Sequence, residues 1–353
     1  MIDRKLELLA HLSSTSLTEI ISIVRKAIQH DGTYDISNTV LDVISYVLGS
    51  CFGRWDVRIV QDPSLTPTLG SPFDPLPACP PGMLIGSDGL SATTGNIVSE
   101  KWIRARTDAN TLPSEGSIQR STIPNSEYPL RINWEGILVD DPGHLDDIVR
   151  RVRDVLRVIW QDNAEAIEQE ACQILGVKEL RDYFRRPGND GFWTDHVKRY
   201  SKSRRKAPIY WMLQSSKRNY ALWLYYHRLD NDTLFKVLMK YAEPKIRLEE
   251  SRLEQIRTQL ASFGTAGREV KQLERECDRQ ESLLAELYDF RDKLQHVANL
   301  NLQPDLNDGV VLNIAPLWEL VPWSEAEKYW EELLTGKYEW SSISKQLRAK
   351  GVI

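Results

Sequence analysis

The residues with the clearest chemical potential are cations interleaved with aromatic rings between positions 181 and 228. From Arg181 to Arg218 there are eleven basic and three acidic residues, a local charge of +8 (11 − 3) in a chain whose net charge is −5. The cations are Arg181, Arg185, Arg186, Lys198, Arg199, Lys202, Arg204, Arg205, Lys206, Lys217 and Arg218. Clustered cations on a folded support are the electrostatic footprint of a polyanion partner. The alternative is a charged surface helix followed by a buried hairpin.

Aromatic residues run through the same segment and cannot all be solvated. They are Tyr183, Phe184, Phe192, Trp193, Tyr200, Tyr210, Trp211 and Tyr220. We therefore expect the cations to be anchored to a folded body and to contact double-stranded DNA. The candidate DNA-binding residues are Arg185, Arg186, Lys198, Arg199, Lys202, Arg204, Arg205, Lys206, Tyr210, Lys217, Arg218 and His227. His196 and His227 could each touch a phosphate or a base, or be packed, hydrogen-bonded rings.

Catalytic motifs are missing from the sequence. Neither the dinucleotide-binding nor the phosphate-cradling glycine pattern occurs. Glu243-Pro244-Lys245 resembles half of a nuclease triad, but no acidic partner precedes it at a persuasive position. Asp140-Asp141 could bind a metal, although Asp141 before Pro142 is better explained as a helix start. We predict no catalytic, cofactor-binding or metal-binding residue in this chain.

Composition sets the broad class. The 353 residues are 41% hydrophobic and 27% charged, as in a soluble globular protein, and allow two or three domains. The four cysteines are far apart and lack metal or disulfide spacing, which favours a reducing cytoplasm. The N-terminus mixes both charge signs, unlike a signal peptide. No apolar run approaches the roughly 20 residues that span a bilayer, so no membrane insertion is expected.

The chain divides into five segments of different character, and the predicted fold class is α+β, mainly helical. In order, they are a helical block (1–60), a Pro/Gly-rich irregular excursion (61–130), a basic-aromatic recognition region (131–242), an antiparallel helical hairpin (243–300) and a Trp-rich C-terminal tail (301–353). Proline-rich composition cannot sustain a long helix, which is why the excursion is read as irregular.

Periodicity places the elements that support the candidate site. Helices are predicted over 5–29 and after a cap at Asp35 or Ser37. A short strand at 130–139 precedes a helix starting at Asp141-Pro142. A further helix is capped by Asp162 and ends near Gly176, and another runs over 178–186. Two apolar runs joined by a polar link predict a β-hairpin at 207–226.

The tip of that hairpin would carry Lys217 and Arg218 outward. Beyond Pro244, apolar residues at three-and-four spacing predict two helices that pair as a coiled-coil arm. The arm's charges are nearly balanced, so it is a packing device, or a surface that holds a partner chain. The tail is expected to alternate strand-like and helical pieces and to pack on the body.

Several local motifs together resemble one family. The central ones are Tyr183-Phe184, Phe192, His196, Tyr200, Ala207-Pro208-Ile209-Tyr210-Trp211, Ser215-Ser216 and Tyr225-Tyr226-His227-Arg228. Earlier and later ones are Ile44-Ser45-Tyr46, Phe52-Gly53-Arg54, Asp88-Gly89, Asp308-Gly309-Val310 and Pro316-Leu317-Trp318. In this order they resemble the region beyond the methylase domain of PglX-type adenine-specific DNA methyltransferases, which belong to BREX phage-defence systems and are related to restriction-modification enzymes.

The resemblance implies that catalysis and DNA recognition lie in different parts of the enzyme. In that family the catalytic half precedes this region and carries a loop for S-adenosylmethionine and an Asn-Pro-Pro-Tyr/Phe motif that holds the flipped adenine. Neither occurs here, and Asp74-Pro75-Leu76-Pro77 does not supply the adjacent prolines and aromatic ring. The resemblance therefore implies a DNA-recognition portion, with S-adenosylmethionine bound by a methylase partner or by a missing N-terminal half.

Two alternatives stay open at this point. The chain could be a complete enzyme with an unrecognised methylase or nuclease site, which binding of S-adenosylmethionine would reveal. It could instead be a helical scaffold whose arm matters more than its basic face.

Overall fold

The computed structural model describes residues 36–60, 96–98, 122–124, 128–186, 191–202, 205–262 and 267–353. The helix predicted at 5–29 and nearly all of the excursion at 61–130 lie outside these residues. The chain forms two compact units, here called the first unit (1–134 with 145–186) and the second unit (135–144 with 187–353). The predicted recognition region at 131–242 contributes to both units.

The first unit is built mainly from helices. Its elements are α1 (Ile36–Cys51), β1 (Asn96–Val98), β2 (Thr122–Pro124), α2 (Ile148–Trp160), α3 (Ala164–Leu175) and α4 (Leu180–Arg185), with 3₁₀ turns at Val57–Val60 and Gln161–Asn163. Strands β1 and β2 pair in antiparallel fashion. The helices α1, α2 and α3 bury the apolar stripes that helical periodicity predicts, including Val40, Ile44, Val152, Leu156 and Ile167.

The start of α2 differs from the prediction. The helix begins at Ile148, where Asp147 is the N-cap and accepts a hydrogen bond from the Arg150 N–H at 3.0 Å. Pro142 instead lies in a turn closed by the His144 N–H and the Asp141 carbonyl (2.9 Å). Proline at the second position of a turn has its φ preset, so Asp141-Pro142 made a turn as readily as a helix start. Leu145, which precedes the start of the helix, is 57% exposed.

The neighbouring helix α3 ends where the sequence indicated. Gly176 is its C-cap in the left-handed region (φ 65°), a conformation that glycine adopts without steric cost. Asn163 occupies the N-cap position, so the proposed cap at Asp162 was wrong by one residue. Helix α4 lies within the predicted range 178–186.

The second unit combines a small sheet with helices. Its elements are β3 (Ile137–Val139), α5 (Phe192–Arg199), β4 (Ser201–Lys202), β5 (Arg205–Lys206), β6 (Tyr210–Gln214), β7 (Ala221–Tyr225), α6 (Thr233–Val237), a π-helical turn (Leu238–Ala242), α7 (Glu243–Ser262), α8 (Arg268–Asn299), α9 (Val310–Ile314), α10 (Ser324–Leu334) and α11 (Ser342–Ala349). Short 3₁₀ turns lie at Tyr226–Arg228, Leu306–Asp308 and Ala315–Leu317.

The sheet of the second unit has the order β3-β7-β6 and is antiparallel throughout. The predicted hairpin is confirmed as β6 and β7, in the register that pairs Tyr210 with Tyr225 and Gln214 with Ala221. Every residue of both strands is buried, so the sheet is covered on both faces. Only 137–139 of the strand predicted at 130–139 is extended in the sheet, as the partner of β7.

The helices α7 and α8 form the predicted helical hairpin, here called the arm. Glu250 accepts a hydrogen bond from Tyr288 and Glu281 one from Arg257, so position numbers rise on one helix as they fall on the other. The pairing is therefore antiparallel. The buried apolar residues of α8 lie in its later half, from Leu284 to Ala298.

The described tail, 301–353, consists of helices and 3₁₀ turns joined by loops and contains no strand, so the strand-like pieces expected there were wrong. Its helices bury Leu312, Leu333, Ile343 and Leu347 in one cluster. The tail packs on the sheet, because the Gln214 N–H at the edge of β6 donates to the Leu320 carbonyl (2.7 Å). The fold class, mainly helical α+β, is confirmed.

Among the described residues, no helix combines the length and apolar character that crossing a bilayer requires.

Candidate nucleic-acid interface

The aromatic residues of the hairpin form the support that the cations need. Trp211, Trp223 and Tyr210 are each at most 2% exposed, and their rings fill the space on the two faces of the sheet. Close-packed aromatic side chains resist displacement because moving one opens a cavity. The hairpin is therefore a rigid base for whatever its turn and neighbours carry.

The turn of the hairpin, residues 215–220, is held by one buried carboxylate on α8. Glu286 is 3% exposed and accepts hydrogen bonds from both ends of the turn. Its Oε1 accepts from the Ser215 hydroxyl (2.5 Å), the Lys217 N–H (2.8 Å) and the Asn219 N–H (3.2 Å). Its Oε2 accepts from the Asn219 side-chain amide (2.6 Å). The turn therefore docks on the arm.

Two predicted DNA-binding residues lie at this turn with exposed side chains. The Lys217 Nζ donates to the Ser282 hydroxyl at 2.7 Å, a neutral partner that leaves the charge uncompensated. Arg218 lies between the two residues whose amides Glu286 binds, in the left-handed region at φ 66°. Its side chain makes no ion pair with any described residue.

A second group of predicted cations surrounds α5 and the short β4-β5 pair. Lys198 is exposed, and burial lowers the pKa of the half-buried Arg199 from its ordinary value. Lys206 forms an ion pair with Glu325 of α10, which compensates part of its charge. Lys202 and Arg205 are opposite each other across the β4-β5 ladder. Arg204, and the side chains of Lys202 and Arg205, lie outside what the structure describes.

Tyr210 and His227 are placed very differently. Tyr210 is fully buried, and its N–H donates to Nε2 of His196 at 3.0 Å. His196 is also buried, between the rings of Phe192 and Tyr200, which agrees with the packed-ring reading. His227 is exposed and packs edge-on against Tyr226. Of the predicted aromatic and imidazole groups at this site, His227 reaches the surface, whereas Tyr210 is buried in the sheet.

The remaining predicted cations belong to the first unit. Arg181 makes a bidentate ion pair with Asp147 (2.8 and 2.9 Å), so it stabilises the start of α2. Arg186 donates to the Gly176 carbonyl at the end of α3 (2.8 Å). Arg185 is half-buried on α4. The cluster that is continuous in sequence is thus divided between two units.

The residues considered for catalysis have structural partners. Lys245 of the Glu243-Pro244-Lys245 motif bridges Asp141 (3.2 Å) and Glu249 (2.8 Å). Within the described residues, no group of three or more ligand-type side chains could hold a metal ion. Burial raises the pKa of the Cys172 thiol to about 11 and that of Cys51 to about 12, so both stay protonated at neutral pH.

Sequence reasoning missed Glu286 and the Asp141–Lys245 pair. Glu286 lies between Leu284 and Leu287 in a run of mixed charge, and no local pattern separates a buried glutamate there from an exposed one. Lys245 and Asp141 are too far apart in sequence for spacing to reveal their contact.

Comparison with known proteins shows what this chain is similar to. No family model matches the chain. Adenine-specific methyltransferase BrxX of Escherichia coli O9:H4 (strain HS) is 30% identical over 195 residues, which cover 52% of this chain and 16% of that protein. Adenine-specific methyltransferase PglX of Lacticaseibacillus casei (strain Zhang) is 27% identical over 209 residues, or 57% and 16%.

The chain is therefore homologous to adenine-specific methyltransferases of the BrxX and PglX type, which confirms the resemblance. The matched region spans 16% of the length of each relative.

Proposed function

We propose that this chain is a DNA-recognition portion of an adenine-specific DNA methyltransferase of a phage-defence system. The observation that carries the proposal is the hairpin turn, which presents Lys217 and Arg218 to solvent from a buried aromatic sheet. Homology to two adenine-specific methyltransferases supports a DNA substrate.

The cations divide into two roles in this proposal. Those near α5 and the β4-β5 pair, with Lys198 exposed among them, bind phosphates and set the register of the protein on the duplex. The turn is narrow and rigid, and its two exposed cations are suited to the edges of bases in the major groove. Phosphate contacts supply affinity, and the turn supplies sequence preference.

Methyl transfer itself is assigned to another part of the enzyme. The Asn-Pro-Pro-Tyr/Phe motif does not occur in the 353 residues, and Asp141, one of the acidic residues considered for catalysis, forms an ion pair with Lys245. A methylase domain or subunit would bind S-adenosylmethionine and the extruded adenine, while this chain selects the site.

The test is the salt dependence of duplex binding by the purified chain. About five phosphate contacts would release condensed counterions and give a slope of log affinity against log salt near −4.5, at about 0.9 per contact. Measurable affinity with a slope near zero, or no affinity for duplex DNA at low salt, would contradict the proposal and favour a scaffold role for the arm.

A further inference from the structure

The geometry points to Glu286 of the arm as a positioning residue for sequence readout: it fixes the hairpin turn so that Arg218 and Lys217 meet bases in one orientation. This inference rests on the proposed function and deepens it, because it makes sequence preference depend on a residue of the arm.

The turn has a conformation that its own sequence does not favour. Arg218 adopts φ 66°, a region that residues with a β-carbon occupy at a cost in free energy. Within the turn, the Arg218 N–H donates to the Ser215 carbonyl (2.9 Å) and the Tyr220 N–H to the Ser215 hydroxyl (2.9 Å). Strained backbone of this kind persists where surrounding contacts over-determine it, and such positions concentrate at ligand-binding sites.

The hydrogen bonds to Glu286 hold the turn in its strained conformation. A buried carboxylate is costly unless it is fully hydrogen-bonded, and this one receives four donors. Two of the donors are the backbone N–H groups of Lys217 and Asn219, which flank Arg218. Because backbone amides cannot rotate independently of the chain, the bond from Asn219 fixes the peptide plane that follows Arg218, and the bond from Lys217 fixes the plane that precedes Lys217. The plane between Lys217 and Arg218 is held by the bond from the Arg218 N–H to the Ser215 carbonyl.

The second contact with the same helix fixes the neighbouring side chain. Ser282 lies one helical turn before Glu286 on α8, and its hydroxyl accepts from the Lys217 Nζ at 2.7 Å. Lys217 is thus attached to α8 through both its backbone and its side chain. The guanidinium of Arg218 is exposed and, like the Lys217 ammonium group, forms no ion pair with any described residue.

The experiment combines binding-site selection with amide hydrogen exchange on the purified chain, using a pool of randomised 30-base-pair duplexes. The variants are Glu286→Ala, Glu286→Gln and Asn219→Ala. Asn219→Ala removes one of the four donors, the side-chain amide, at an exposed position and protects the test against misfolding of the Glu286 variants. The matched control is Glu249→Ala, which removes the other buried carboxylate of the arm and leaves the turn intact.

We expect Glu286→Ala and Asn219→Ala to reduce discrimination at one or more positions of the preferred site by roughly 5-fold to 150-fold, the range of a lost base contact. Affinity for unrelated duplex DNA should fall less than about 3-fold, since the phosphate-binding cations remain. Glu286→Gln keeps an acceptor and should lie in between. Exchange at the amides of positions 217 and 219 should speed up in these variants, whereas Glu249→Ala should leave sequence preference unchanged and should not speed up these two amides more than the rest of the arm.

The outcomes separate this inference from the proposed function. Wild-type protein that selects a motif, together with folded Glu286→Ala and Asn219→Ala variants that select the same motif equally well, overturns the inference and leaves the function standing. Wild-type binding with no sequence preference overturns the inference and also the assignment of site selection to this chain, and leaves only general binding to duplex DNA. Absence of duplex binding by the wild type overturns both.

Discussion

Lys217 and Arg218 have exposed side chains that form no ion pair with any described residue. Replacing both with alanine should alter sequence preference while weakening binding to all sequences only modestly, because the other cations still neutralise phosphates. Selection from randomised duplexes measures the preference, and titration of unrelated duplex DNA measures general affinity.

The matched control for this pair is Lys271→Ala with Arg275→Ala. These substitutions remove the same charge as the tip variant, from two exposed cations on α8 that are distant in sequence from the turn. An unchanged motif and undiminished affinity in the Lys217 and Arg218 variant would remove the turn from the recognition surface.

At Gly136, in the second unit, the neighbouring chain packs so closely that it leaves no room for a β-carbon. It has φ 70°, and a β-carbon there would lie 2.6 Å from Cβ of Arg228 and 3.3 Å from Cβ of Tyr225. Gly136→Ala should therefore lower the free energy of unfolding through both strain and overlap, by about 2 to 4 kcal/mol. Denaturant unfolding followed by circular dichroism measures the loss.

Gly309→Ala provides the comparison for strain alone. Gly309 has φ 86°, and no atom lies within 4 Å of the position its β-carbon would occupy. Its replacement should cost about 1 to 2 kcal/mol. Equal losses in the two variants would mean that the contact with Arg228 relaxes without cost.

At the scale of elements, a buried carboxylate on α7 joins the two helices of the arm. Glu249 is 1% exposed and accepts from Lys245 (2.8 Å), Arg252 (2.8 Å) and, across the arm, Gln280 of α8 (2.7 Å). Burial raises the pKa of Glu249, but the hydrogen bonds from Lys245 and Gln280 outweigh it and hold that pKa below its ordinary value. The ionised form therefore stabilises the folded arm.

The sign of this shift predicts a pH dependence. A carboxyl group with a lowered pKa in the folded state contributes stability above its unfolded pKa, about 4.3 for glutamate, and loses it as the pH falls through the folded value. Glu249→Gln should be less stable than wild type at pH 7, and the difference in unfolding free energy should shrink from about pH 5 downward. Denaturant unfolding of both proteins at pH 7 and at pH values from about 5 downward measures the difference in unfolding free energy.

The exposed Glu254 on the same helix gives the control. Glu254→Gln should show the wild-type pH profile. A constant difference between Glu249→Gln and wild type across the acid range would contradict the role given to the ionised carboxylate.

For the whole molecule, the proposed function places methyl transfer elsewhere in the enzyme. The chain alone should bind duplex DNA but transfer no methyl group from labelled S-adenosylmethionine, because the motif that would hold an extruded adenine is absent from its sequence. Label incorporated into mixed-sequence DNA above a no-protein control, and retained through further purification, would show that the chain is a complete enzyme.

Local sequence patterns determined much of the fold because side-chain spacing fixes which face of an element is apolar. The β-hairpin at 207–226, the paired helices beyond Pro244 and the end of α3 at Gly176 all follow from spacing or from one residue's conformational freedom. The basic cluster and its aromatic support were likewise visible in the chain.

The tertiary structure decided the partners of polar groups. Glu286 meets Ser215 across 71 positions, and β3 pairs with β7 across more than 80, because burial of apolar faces brings those backbones together. Asp147 rather than Asp141 caps α2, and each aspartate has a distant partner, Arg181 for the first and Lys245 for the second. Side-chain spacing indicates which face of a helix or strand is apolar. The partner of a buried hydrogen bond depends on what the fold places opposite that face.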